Sequence, residues 1–119
     1  MAKMAITVNG AEPKNVYPPF IIGSSAAASG DEVILFFTPG GAPAMVKGAL
    51  EKLNDAAKSL PDLIELYKGL ISLGGRLLVC ELAFDVHDFT EKDLIEGTEV
   101  VGATTFVSEA QGAQLTFSF

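Results

Sequence analysis

The sequence contains no tryptophan, one cysteine, one histidine and one arginine. A lone cysteine excludes an intrachain disulfide framework. One cysteine and one histidine also exclude a Cys-rich structural zinc site. Basic residues are few: 8 Lys+Arg stand against 15 Asp+Glu, giving a net charge of −7 and a pI near 4.5. Such a chain repels phosphate backbones, and it holds no basic patch that would let it bind nucleic acid. Long hydrophobic runs are missing too. The opening Met1-Ala2-Lys3-Met4 leads into an apolar run of about five residues, too short for a signal-peptide core, and no stretch approaches the roughly 20 residues of a membrane helix. The expectation is a cytoplasmic protein with a reduced thiol and no membrane contact.

At 119 residues the chain is expected to be a single domain over 1–119. Apolar residues make up 49% and the mean hydropathy is +0.37, which excludes a disordered chain. A domain of this size has a high ratio of surface to volume. The apolar surplus therefore implies a homo-oligomer, in which a further copy covers part of the surface.

Strand and helix patterns alternate along the chain. Met4–Val8 reads as a buried strand ended by the Asn9-Gly10 turn signal. A helix is expected to start near Pro18-Pro19, since proline suits a first turn, and to end around Ser29-Gly30. Val33–Phe37 is apolar on both alternating faces, as in a strand covered on both sides. After the loop Thr38-Pro39-Gly40-Gly41-Ala42, Pro43 opens a helix carrying Met45, Val46, Ala49, Leu50 and Leu53 at helical spacing. Ser59 is expected to cap a further helix, with Asp62 completing a capping box and Gly74-Gly75 as its stop. Arg76–Cys80 is the third strand, Glu99–Val101 the fourth and Ala113–Phe117 the fifth. Between them Thr90–Asp93 reads as the cap of a short helix ending at Gly97, Thr105–Ala110 reads as a brief helix, and Glu81–Asp88 is ambiguous. Crossovers of this kind point to an α/β fold, a parallel sheet with helices on both faces.

In such sheets ligands bind beyond the carboxyl ends of the strands. Cys80 sits at one of those ends. It reads either as a reactive thiol, stabilised as thiolate by the N–H groups of a following helical turn, or as a small packed hydrophobe. His87 follows seven residues later, between Asp85 and Asp88. It could serve Cys80 as a base, join Cys80 and Asp85 around a metal, or be a surface histidine. The Cys-x6-His spacing matches no particular metal site, and no metal or cofactor is expected. The loop Thr38, Gly40, Gly41 is a weaker candidate for binding an anion through backbone N–H groups, though it matches no phosphate-loop motif. Peroxide reduction is disfavoured, because Arg76 is the only arginine and lies at the other end of the Cys80 strand.

Three stretches carry a family resemblance: Asp31–Thr38, Gly74–Asp85 and Asp93–Ala103. Together they resemble the DsrE/DsrF-like sulfur-relay family, especially the branch of it labelled peroxiredoxin. The resemblance implies a three-layer α/β/α domain, flavodoxin-like in appearance, with a five-stranded parallel sheet ordered 4-3-2-1-5. It implies assembly as a dimer, trimer or hexamer. It also implies that Cys80, matching the cysteine after the family's third strand, accepts sulfane sulfur as a persulfide from a donor protein and hands it to an acceptor. The alternative is a non-catalytic oligomeric scaffold with a small-ligand pocket at the strand ends.

Overall fold

A computed structural model describes residues 2–119. Five strands form one parallel sheet: β1 (Lys3–Val8), β2 (Glu32–Phe37), β3 (Arg76–Cys80), β4 (Thr98–Val101) and β5 (Leu115–Ser118). Their order is β4-β3-β2-β1-β5, as the family resemblance implies. The helices are α1 (Pro13–Ala28), α2 (Ala49–Ala56), α3 (Leu63–Ser72), α4 (Ala83–Val86) and α5 (Ala103–Glu109). No described helix is long and apolar enough to cross a membrane.

The order of strands determines the layers. From β1 to β4 each crossover steps one strand in the same direction. Right-handed connections therefore put the intervening helices on one face. The return from β4 to β5 runs the other way across the sheet, so α5 falls on the opposite face. The core divides accordingly. Met4, Ile6, Val8, Leu35, Phe37, Leu77 and Val79 pack with α1 and α3 in the main cluster. Ile34, Phe36, Leu78 and Cys80 form a separate small cluster with Val101 and Phe106. The second layer is thus a single seven-residue helix.

α1 begins at Pro13, not near Pro18. Glu12 and Asn15 form a reciprocal capping box, and Pro13 occupies the first turn. Pro18 and Pro19 consequently lie inside the helix. Interior proline costs about 3 kcal/mol each by lost bonds and ring clash. Full burial of the neighbouring Val16, Tyr17 and Phe20 offsets that cost. Gly23 lets α1 lie close, since a Cβ there would meet Val33, Leu35 and Leu70 at 3.3–3.8 Å.

The helix expected from Pro43 is broken. Ala42–Met45 is one 3-10 turn, Val46 is extended and bridges Leu94, and Gly48 at φ +90° precedes α2. The Val46 region is tied by Lys47 N–H to Asp93 O and Ile95 N–H to Met45 O, both 2.8 Å. These bonds to a distant segment outcompete the local helical ones. The cap of α3 is Asp62 rather than Ser59: its carboxylate accepts from Ile64 N–H and Glu65 N–H. Thr90 and Asp93 do form a capping box, on a three-residue 3-10 turn.

Candidate functional site

The carboxyl ends of β1, β2 and β3 bring together Asn9, Thr38 and Cys80. Phe37 faces Val79 across β2 and β3, so the next step of the register brings Thr38 to the level of Cys80. Strand alternation turns Cys80 to the same face as Leu78, Phe36 and Ile34. This is the thinly covered face. Cys80 is 3% exposed, roofed by Val101 and Phe106. The Phe106 ring stacks on Phe36 with centroids 4.3 Å apart. Phe106 and Val101 are neighbours of Cys80 that sequence reasoning did not connect with it. The only signal for Phe106 is an aromatic residue at the middle of an otherwise small and polar helix.

The N–H groups that follow Cys80 are partly taken up by the fold. The first N–H after it, that of Glu81, donates to Val101 O at 2.9 Å and extends the sheet pairing. α4 is a single turn. The expected thiolate cradle is therefore not built from Glu81. Gly102 lies against the Glu81 carboxylate, which a Cβ would approach to 3.2 Å.

His87 is held elsewhere. Its Nε2 lies 2.7 Å from Pro39 O, and since a carbonyl only accepts, Nε2 carries the proton and donates. The ring stacks on Phe89 at 5.3 Å. Among the described residues no hydrogen bond joins His87 to Cys80, and no group of three or more His, Cys, Asp or Glu is placed to share a metal. His87 thus fastens the β2 loop to the segment after α4.

The loop Thr38-Pro39-Gly40-Gly41 turns its donors inward. Gly41 N–H and Ala42 N–H both donate to Thr38 O, at 2.8 and 2.9 Å. The Thr38 hydroxyl reaches Val8 O and Asn9 Oδ1, at 3.2 and 3.1 Å. A Cβ at Gly40 would collide with Asn9 O, and one at Gly41 with Val8 O. These glycines permit close backbone approach to the end of β1, and the loop presents no anion nest. Asn9 continues the polar chain to Ser118 Oγ, 2.8 Å away, and Ser118 to Thr7 Oγ1, 2.6 Å away.

At the far end of the same face, Arg76 anchors α5. Its guanidinium bonds Glu99 through Nε and Nη2, at 3.0 and 2.9 Å, and Glu109 through Nη1 at 2.8 Å. The hydrogen bonds to Glu99 and then Glu109 raise the Arg76 pKa, and the bond from Arg76 holds the Glu99 carboxyl below its usual range. α5 is thus fixed at its carboxyl end by Glu109 and in its middle by Phe106. None of its residues is fully buried.

A family model described as the DsrE/DsrF-like family matches residues 2–119. The chain is 28% identical over 102 residues to the uncharacterised protein MJ0760 of Methanocaldococcus jannaschii, covering 86% of this chain but 36% of that protein. It is 25% identical over 142 residues to the sulfur carrier protein DsrE2 of Allochromatium vinosum, covering 87% of this chain and 89% of that protein. In fold it is similar to the crystal structure of the ychN protein of E. coli, with TM-score 0.77, 16% identity and full coverage of both chains.

Proposed function

We propose that this chain, which belongs to the DsrE/DsrF-like family, serves sulfur relay with its only thiol, Cys80, as the sulfur-carrying atom. The likeness to a sulfur carrier protein over most of both chains supports the relay role. The observation that carries the assignment to Cys80 is its place: the sole sulfhydryl stands at the carboxyl end of β3 under a roof one short helix thick.

The step balances without an oxidant. The Cys80 thiolate attacks the outer sulfur of a donor persulfide, R–S–SH. The donor S–S bond breaks, R–S⁻ leaves with the electron pair and takes up a proton, and Cys80–S–SH remains. An acceptor nucleophile then attacks the outer sulfur, and Cys80 departs as thiolate. Donor and acceptor are taken to be proteins. Because Cys80 is 3% exposed, exchange requires Phe106 to lift from Phe36. Gly102 and Gly112, the latter at φ +81°, flank α5 and give it two points of rotation. On this reading the protein is cytoplasmic, where a lone thiol stays reduced, and works as a homo-oligomer.

The second reading is a non-catalytic oligomeric scaffold. The apolar surroundings of Cys80 favour it, since they are those of a packed hydrophobe. Mass spectrometry after incubation with a small-molecule persulfide or thiosulfate separates the two. A gain of about 32 Da, one sulfur atom, on Cys80 of the folded protein supports the carrier. Absence of that gain in both the native chain and Phe106→Ala supports the scaffold.

A further inference from the structure

The residues directly after Cys80 form a fixed turn. Asp85 N–H donates to Leu82 O at 3.1 Å and His87 N–H to Ala83 O at 3.0 Å, so Leu82 to Val86 make one helical turn. Its inner side is packed. Ala83 is buried, and Phe84 meets Phe89 edge to face at 5.9 Å. The His87 bond to Pro39 O and the stacking of His87 on Phe89 hold the end of the turn in place.

The outer side is bare. Leu82 and Val86 stand four residues apart, so they share one side of the turn, and they are 55% and 65% exposed. Glu81 and Asp85 have the same spacing one position earlier, and both are exposed. Like charges at that spacing repel. Among the described residues no lysine or arginine forms an ion pair with either of them. The surrounding segment is acidic as well: from Glu81 to Glu96, six carboxylates stand against one lysine, Lys92. The outer edge of β5 is open too, but Ala110 to Phe119 carry no charged side chain, so that strip selects no partner by charge.

We propose that this turn docks a cationic segment of the protein that exchanges sulfur with Cys80. The segment seats an apolar centre on Leu82 and Val86 and sets lysine or arginine beside Glu81 and Asp85. This rests on the reading of Cys80 as the sulfur-carrying atom and names the chemistry of its partner. Charge selects that partner. A second copy of this chain, at net charge −7, is repelled here, and so is a nucleic acid. A basic segment relieves the repulsion between Glu81 and Asp85, and its long-range attraction speeds encounter. Place matters equally. Glu81 adjoins Cys80 in the chain, and its carboxylate lies against Gly102, where α5 begins. A cation paired with Glu81 therefore sits beside the point about which the Phe106 roof turns.

Two synthetic peptides test this. Each has a central cysteine flanked by leucines, with lysines at both ends of one and glutamates at both ends of the other. On the Cys80→Ser chain, the lysine peptide should shift the amide signals of residues 81–86 in an NMR titration, and the glutamate peptide should not. Replacing Glu81→Gln and Asp85→Asn together should weaken the lysine peptide roughly 5- to 20-fold, as two exposed ion pairs allow. Salt at about 1 M should weaken it on Cys80→Ser alone. With both peptides as persulfides, the lysine form should load native Cys80 faster by a similar factor. Failure of the lysine peptide to bind overturns the proposal, as does equal binding of both peptides or shifts that lie away from residues 81–86. If the double replacement fails to fold, the peptide charge swap and the salt series decide. The two readings fail separately. Docking of the lysine peptide with no gain of mass on Cys80 supports the surface and overturns the carrier. Equal loading by both persulfides supports the carrier and overturns the surface.

Discussion

Phe106 lies nearly flat on Phe36, with the ring planes 7° apart, and the pair closes the roof over the cluster that holds Cys80. The two residues belong to a helix and a strand far apart in sequence. With Val101, their contact covers the cluster that holds the thiol.

Phe106→Ala should open that roof. Losing a stacked, partly buried ring weakens the closed state by about 1–3 kcal/mol. Labelling of Cys80 by a thiol reagent should then speed up by roughly 10- to 100-fold. Stopped-flow labelling, run beside a urea melt, separates local opening from global unfolding. An unchanged labelling rate means α5 is not the barrier.

Arg76→Ala should loosen the carboxyl end of α5 and cost about 0.5–1 kcal/mol, because both ion pairs are more than a third exposed on the side of the acid. The effect should shrink at high salt. Glu99 has its carboxyl held below the usual range, so its contribution is complete above the ordinary glutamate value of about 4.3 and disappears as pH falls through the lowered folded value. Glu99→Gln should flatten that acid limb of a melting-temperature profile. An unchanged limb assigns the acid sensitivity elsewhere.

Gly41→Ala should destabilise by about 1–3 kcal/mol, because the new Cβ collides with Val8 O and backbone must move. Gly69→Ala is the control. That helical position has no atom within 4 Å of a built Cβ, and alanine there should gain about 0.5–1 kcal/mol. Chemical denaturation of both variants reads the contrast. Equal effects would remove close approach as the reason for Gly41.

His87→Ala should lower stability by about 1 kcal/mol through the lost bond to Pro39 O, while sulfur loading of Cys80 stays within about threefold of native. Loading kinetics and a melt give both numbers. A loss of a hundredfold or more with native stability would restore His87 as a proton carrier.

Much of the fold was legible in the sequence. The apolar runs at Met4–Val8, Val33–Phe37 and Arg76–Cys80 became β1, β2 and β3 within a residue or two, because burial on both faces leaves only apolar side chains. The errors came where distant contacts overrode local signals. Pro18 and Pro19 stayed inside α1 because the flanking aromatics are buried. Val46 left the helical pattern because Leu94 and Asp93 offered backbone partners. For the site, Cys80 and the β2 loop were legible as strand-end positions. The pairing of His87 with Pro39 was not, since neither residue's spacing encodes it.

By itself the sequence determined which segments are strands, and family likeness supplied their order. Alternation of side chains is a local property of the extended backbone, so it can be read residue by residue. Only the tertiary structure decided that Cys80 is roofed by Phe106, that Gly40 and Gly41 serve β1 rather than a ligand, and that β5 is left open. Each of these depends on which atoms from remote parts of the chain occupy one small volume, and steric exclusion and desolvation act there regardless of sequence distance.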